Sequence, residues 1–297
     1  MQTVYVKHID AFSSIPGKGN PAGVVLNGDD YSEEEMLAIA GAVGFNETSF
    51  IVSSDIADFR IRYFTPGHEM NLCGHATMGT VYALRMNGLL KQSNITIETK
   101  AGVLPVKVHD ENNELLITMQ QANPQFQTFS GSKSELAASI GLTEEDLHPD
   151  YPIVYGSTGI WTLIIPIKEL ASFHKMIPAT AEFPSILKEI PRASLHPICL
   201  EVRDERNDMH ARHFSSPFSG TIEDAVTGTA AGVMGAYYKT FINEGARLPV
   251  TLIVEQGYEM NKDGRVYVHV KEEGNLDVSI SGTAVYVKDI EIEIVKK

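Results

Sequence analysis

Asn71-Leu72-Cys73-Gly74-His75-Ala76-Thr77-Met78-Gly79-Thr80 runs on into Val81-Tyr82-Ala83-Leu84-Arg85-Met86 and reads as a reactive loop entering a helix. Ala76, Met78, Val81, Tyr82, Ala83, Leu84 and Met86 leave almost no polar stripe, which predicts a helix buried on nearly every side. The first N–H groups of such a helix lack intrahelical partners and attract an anion. Cys73 and His75 sit where that anion would lie.

A second stretch repeats the arrangement roughly half a chain later. Thr221-Ile222-Glu223-Asp224-Ala225-Val226-Thr227-Gly228-Thr229-Ala230-Ala231-Gly232 leads into Val233-Met234-Gly235-Ala236-Tyr237-Tyr238. Two small-residue loops, each with ionisable groups and each opening an apolar helix, predict two related halves. Their helix starts are expected to face one another across a single cleft. Around each helix the pattern is paired strands, loop, helix and further strands, which fits a strongly curved, mostly antiparallel sheet wrapped on a central helix. The fold class expected is therefore α+β, with two pseudo-symmetric domains.

Working outward, Val4 to Phe12 alternates as a strand, and Ser13 to Gly23 is a Gly/Pro loop. Val24-Val25-Leu26 then reads as strand, where a dinucleotide fingerprint would need a helix. Ser32 with Glu35 forms a capping box opening a helix to about Val43. Strands are expected at Glu47 to Ser53, Phe59 to Thr65, Ile95 to Thr99, Val103 to Val108 and Leu115 to Met119. Gln120 to Gln127 is the best linker. It gives a first half over residues 1–121, completed by the last strand at about 285–297, and a second over 122–284. In that second half helices are expected near Ser134 to Ile140, Glu169 to Met176, Ala181 to Ile190 and Thr227 to Asn243. Strands are expected at Ile153 to Tyr155, Trp161 to Ile167, Ile198 to Val202 and Met209 to Phe214, then at Val250 to Val254, Val266 to Val270, Val278 to Ser281 and Val285 to Val295.

The 297 residues carry a formal net charge of −14. That balance argues against nucleic-acid binding and against adhesion to anionic lipid. No apolar run reaches membrane length. Two cysteines, Cys73 and Cys199, offer no disulfide framework, and the strand-like start lacks a signal-peptide core. A cytoplasmic protein with no membrane partner is expected.

Glu47, at the start of an apolar strand, is the first candidate for a catalytic base, or else an exposed carboxylate. His75 could donate to substrate or shuttle a proton, or be a satisfied structural histidine. Asp224 could carry a proton or only cap a helix. Cys73 could be a thiolate activated by the helix start or a small buried residue. His68, Glu69, Cys73 and His75 cluster in sequence but match no standard zinc spacing, so no metal is expected. His210 and His213 share a strand-like run and point to opposite faces, a poor metal pair. Helix-start N–H groups plus a base and an acid would suffice for proton transfer beside a carboxylate, with no cofactor.

Gly19-Asn20-Pro21-Ala22-Gly23-Val24-Val25, Asn46-Glu47-Thr48, Tyr63-Phe64-Thr65-Pro66, Leu72-Cys73-Gly74-His75-Ala76-Thr77 and Glu223-Asp224-Ala225-Val226-Thr227-Gly228-Thr229-Ala230 occur in that order along nearly the whole chain. Together they resemble the PhzF-like isomerase family of phenazine biosynthesis. The resemblance implies a diaminopimelate epimerase-like fold, a small carboxylate metabolite as substrate and a homodimer. It matches Glu47 to the family's acid/base glutamate, and His75 and Asp224 to its assisting histidine and aspartate. Asn46, Cys73, Gly74, Gly228 and Thr229 fall where substrate is bound. Ala225 stands in place of a usual proline, Thr229 of a usual serine, and Asn46 of a frequent serine. The alternatives are a two-thiol amino-acid racemase or epimerase, in which Cys73 would be the first thiol, and a non-catalytic ligand-binding scaffold.

Overall fold

A computed structural model describes residues 1–111 and 114–295. Lys296 and Lys297, in the expected closing segment, lie outside the described residues. In chain order the elements are β1 (Gln2–Ala11), β2 (Asn20–Val25), α1 (Glu33–Val43), β3 (Thr48–Val52), β4 (Phe59–Phe64), β5 (Glu69–Met70), α2 (Gly74–Met86), β6 (Asn94–Thr99), β7 (Gly102–Glu111) and β8 (Glu114–Gln120). There follow β9 (Gln125–Thr128), α3 (Lys133–Ser139), β10 (Val154–Ser157), β11 (Trp161–Pro166), α4 (Phe183–Ile186), β12 (Ser194–Cys199), β13 (Met209–Ala211), α5 (Gly228–Tyr237), β14 (Val250–Gln256), β15 (Gly264–Glu273), β16 (Asn275–Gly282) and β17 (Ala284–Ile294). The chain divides into two compact units: residues 1–120 with the final segment from Ser281, and residues 121–280.

In the first unit the ladder runs β17–β1–β2–β3–β4–β6–β7–β8, with β2–β3 and β4–β6 parallel and the other steps antiparallel. In the second it runs β9–β10–β11–β12–β13–β14–β15, with β11–β12 and β13–β14 parallel and the rest antiparallel. The sequence of parallel and antiparallel steps is the same from β17 to β7 as from β9 to β15. Each unit also inserts its long buried helix at the same place, α2 between β4 and β6 and α5 between β13 and β14. The two halves are one topology written twice.

The helices take their positions from burial. From His75 to Leu84 only Tyr82 escapes full burial, and α2 packs on β1, β2, β3, β8 and β17. At Gly79 a Cβ would already sit 3.4 Å from Ala22 Cβ and Ile9 Cβ, so strand and helix backbones approach closely there. Buried hydroxyls solve the polar accounting: Thr80 Oγ1 donates to Ala76 O at 2.7 Å and shares a 2.6 Å bond with Ser49 Oγ. Met86, the last residue of the helix, breaks the expectation of an all-buried helix at 63% exposed. The opposite sheet face takes α1, where Met36, Ile39 and Ala40 join Val4, Val6, Phe50, Phe64 and Ile292. Its start carries the expected capping box, with Ser32 Oγ accepting from Glu35 N–H and Glu35 accepting from Ser32 N–H.

The second unit holds its own core of Leu136, Ile140, Tyr155, Leu163, Ile165, Phe173, Phe183, Leu195 and Phe214. Helix α5 is buried from Ala230 to Tyr237 and packs on β10 and β15. Five sequence expectations need correction. Asn20 to Gly23 is strand, since Pro21 sits where its missing N–H costs no ladder bond in pairing with Asp10. Gln125 to Gln127 belongs to β9, held by β10 although Phe126 is its one apolar side chain. The expected helices over Glu169 to Met176 and Ala181 to Ile190 shrink to a 3-10 segment, Leu170–Lys175, and to the four-residue α4, a region punctuated by Pro178, Pro184 and Pro191. The expected helix to Asn243 leaves α geometry at Tyr237 and finishes as a π turn, Tyr238–Ile242. Among the described residues no helix is long and apolar enough to cross a membrane.

Candidate active site

Glu47 precedes β3 directly, and its backbone C=O accepts from Gly23 N–H at 3.1 Å, so strand pairing fixes where the side chain leaves the chain. Cys73 is the N-cap of α2 and Gly74 its first residue; no side chain caps the helix. The first helical bond, from Thr77 N–H to Cys73 O at 2.9 Å, leaves the N–H groups of Gly74, His75 and Ala76 outside the intrahelical ladder. Thr77 Oγ1 also donates to Cys73 O and bonds Tyr63 Oη at 2.6 Å, tying the helix start to β4.

These supports bring Glu47, Cys73 and His75 together. His75 Nε2 lies 3.2 Å from Glu47 Oε2, with side chains 8% and 14% exposed. That carboxylate oxygen is buried and receives no aligned hydrogen bond, so the contact is an ion-pair approach off the hydrogen-bond line. Cys73 Sγ lies 3.4 Å from His75 Nδ1. Burial works against a charged imidazole, but the Cys73 sulfur and the Glu47 carboxylate outweigh it and hold His75 above its ordinary pKa. Burial and the Glu47 carboxylate push the Cys73 thiol up, against the pull of His75. The arrangement offers a carboxylate and a protonated imidazole a hydrogen-bond length apart, which is the pairing general acid/base chemistry requires. Asn46 stands beside Glu47, half-buried.

The other candidates gather in the second unit. Asp224 Oδ2 accepts from Thr227 Oγ1 at 2.6 Å, and Asp224 N–H donates to His213 O at 3.0 Å. Glu223 next to it is clamped by Arg212, Nε to Oε1 at 2.8 Å and Nη2 to Oε2 at 2.7 Å. Gln256 fastens the same turn, donating to Asp224 O at 2.8 Å while its Oε1 accepts from Thr227 N–H at 3.1 Å. Gly228 opens α5, and Thr229 O accepts from Thr158 Oγ1 at 3.0 Å.

The model of the phenazine biosynthesis-like protein family, PhzC–PhzF, matches residues 9–289. A Bacillus subtilis protein named uncharacterized isomerase YfhB is 52% identical over 288 residues, 96% of this chain and 97% of that one. A crystal structure of a Bacillus anthracis phenazine biosynthesis protein of the PhzF family superposes with a TM-score of 0.97 at 57% identity, covering 99% of this chain and all of that one. The chain belongs to the PhzF family. Its class of activity is isomerisation, as in the trans-2,3-dihydro-3-hydroxyanthranilate isomerase of Pseudomonas aeruginosa, 28% identical over 93% of this chain and 95% of that one.

Within this PhzF-family chain the structure keeps Cys73 and His75 of the run of possible metal ligands together and leads Glu69 and His68 elsewhere. Glu69 is taken by Arg62, at 2.7 and 2.8 Å, and by Lys100. His68 turns to Thr65 Oγ1 at 3.1 Å. Cys199 lies in β12 with burial pushing its thiol up to about 11. Sequence reasoning missed Gln256, which no spacing relates to Asp224, and a buried histidine pair. His196 Nδ1 meets His213 Nδ1 at 3.1 Å, so one imidazole donates and the other accepts. Burial holds His213 down at about 4 against the pull of Asp224, and holds His196 well below its ordinary value. Both rings are neutral beside the Asp224 turn.

Proposed function

We propose that this isomerase moves a proton within a small carboxylate-bearing metabolite without a cofactor. Glu47 removes a proton from carbon and returns it elsewhere on the same molecule. His75, as imidazolium, hydrogen-bonds the charge that develops, and Asp224 serves the same reaction as a further proton carrier. The observation that supports this reading is the 3.2 Å approach of Glu47 Oε2 to His75 Nε2 at the start of a buried helix. A positioned base contributes about 10²–10⁴-fold, and each charge-assisted hydrogen bond to the substrate about 1.5–3 kcal/mol. N–H groups outside the helical ladder at Gly74 and His75, and the equivalent groups at Gly228 and Thr229, suit a carboxylate. The named activity of the Pseudomonas relative supports an unsaturated carboxylic acid with an abstractable C–H as the substrate class. In deuterium oxide the parent protein should place solvent deuterium in its product. Glu47→Gln should not, and exchange by that variant at the parent rate would defeat the assignment.

The 3.4 Å contact of Cys73 Sγ with His75 Nδ1 favours a second reading, in which the thiol carries the proton as in two-thiol racemases. Burial, which disfavours the thiolate, counts against it. Cys73→Ala keeps deuterium exchange under the first reading and loses it under the second. A homodimer belongs to the proposal on family resemblance; sedimentation at twice the chain mass supports it, and at one chain mass refutes it.

A further inference from the structure

We infer that Glu47, Cys73 and His75 form a binding site for a divalent cation of the zinc class, and that the cation shuts the enzyme off. A thiol sulfur, an imidazole nitrogen and a carboxylate oxygen, one from each residue, all lie within 4.8 Å of one another. Tetrahedral zinc, with bonds of about 2.3 Å to sulfur and 2.0–2.1 Å to nitrogen and oxygen, sets its ligand atoms about 3.6 Å apart for sulfur–nitrogen and about 3.4 Å for nitrogen–oxygen. The corresponding separations here are 3.9 Å from Cys73 Sγ to His75 Nε2 and 3.2 Å from that nitrogen to Glu47 Oε2. The sulfur now lies nearer Nδ1, at 3.4 Å, so a common centre requires the imidazole to turn until one of its nitrogens faces both the thiol and the carboxylate.

A second observation points the same way. Glu47 Oε2 is buried and accepts no aligned hydrogen bond, although an imidazole nitrogen stands 3.2 Å away. A carboxylate oxygen beside a nitrogen but off its N–H line keeps a lone pair for a cation. A buried acceptor left in that state is unfavourable, and a cation would recover the lost interaction. The site is also held in place without the metal. Thr77 and Tyr63 pin the backbone of Cys73, and strand pairing pins Glu47.

The donor set decides the class of ion. Calcium takes six to eight oxygens and magnesium an octahedron of them, whereas mixed sulfur, nitrogen and oxygen donors suit zinc and its neighbours. Three protein ligands leave the fourth position to water or a small anion. Binding releases the thiol proton, and any imidazolium proton, to solvent. The ligands are Glu47 from before β3 and Cys-x-His from the start of α2. No zinc spacing in the sequence announces such a set. A cation here occupies the carboxylate that acts as base and the imidazole that assists it. The inhibitory half of the inference rests on the proposed function; the binding half does not.

The experiment titrates the metal-free protein with cobalt(II) and with zinc, using a chromophoric chelator as competitor. The expected result is saturation at one ion per chain, with cobalt showing thiolate charge-transfer absorption and the intense visible bands of four-coordination. Cys73→Ser should remove the charge-transfer band, and it and Glu47→Gln should each weaken zinc by about 10–100-fold or more. Cys199→Ser should leave both unchanged. Because the band itself requires a cysteine ligand, the parent protein gives an answer even if a variant fails to fold. No saturable binding, absence of the band, or its loss with Cys199→Ser in place of Cys73→Ser would each overturn the site. If zinc binds as expected but deuterium exchange persists at saturation, the inhibitory role fails while the site stands.

Discussion

Glu47 and His75 lie 3.2 Å apart, and His75 and His213 are pushed in opposite directions by their surroundings. His75 is held above its ordinary pKa by neighbouring negative groups, once they outweigh burial. Activity that needs the imidazolium should therefore persist above pH 6.5 and decline as pH rises through the elevated value. A rate–pH profile whose alkaline limb is unchanged in His75→Asn would contradict this. His213 shows the reverse, with burial holding it at about 4. Between pH 6.5 and 4 the unfolded chain binds a proton there that the folded chain refuses, so stability falls as pH falls through that window. At pH 5 the mismatch amounts to about 2 kcal/mol. His213→Asn should lose some stability at pH 7, by orphaning His196, but should lose less on acidification to pH 5 in urea melts. At this scale the meeting of Glu47 and His75 was legible in short motifs, and the role of Asp224 is a proposal drawn from a motif of the same kind. Gln256 and the His196–His213 pair were not, because their roles come from pairing across strands far apart in the chain.

The central helices carry the element-scale argument. A Cβ at Gly235 of α5 would meet Val268 Cγ1 at 2.4 Å and Val270 Cγ2 at 3.0 Å, both on β15. Gly235→Ala gains about 1 kcal/mol of helix propensity but overpacks by about 1–3 kcal/mol, and the second effect should win. Gly74→Ala meets nothing within 4 Å and should be neutral or mildly stabilising. Urea midpoints moving together in the two variants would refute the packing account. The helices were legible because a helix apolar on every face is stable in water only where protein encloses it, and α1 because its capping box is local chemistry. Strand β9 was not, since Phe126 alone between Gln125 and Gln127 is too short an alternation to mark a strand, which owes its conformation to β10. The segment around α4 misled because its apolar spacing suited a helix while its prolines did not.

At the scale of the molecule, the repeated ladder explains why one chain carries two helix starts of the same kind. The first unit is incomplete without the end of the chain, because β17 pairs along the length of β1 and places Ile292 and Ile294 on the core with Val4 and Val6. Ile292→Ala should cost about 2–5 kcal/mol, read as a lowered urea midpoint; an unchanged midpoint would mean that β17 is dispensable. The two-half plan was legible from the recurrence of loop and helix, whereas the parallel steps between neighbouring strands were not, since pairing direction leaves no mark on strand composition.

The most direct measurement follows deuterium. A pool of unsaturated carboxylic acids is incubated in deuterium oxide with the parent protein and, separately, with Glu47→Gln, and the products are weighed by mass spectrometry. The expected result is a one-deuterium mass increment on a single acid with the parent protein, reduced by about 10²-fold or more in the variant. Equal incorporation by both proteins would show that Glu47 does not move the proton.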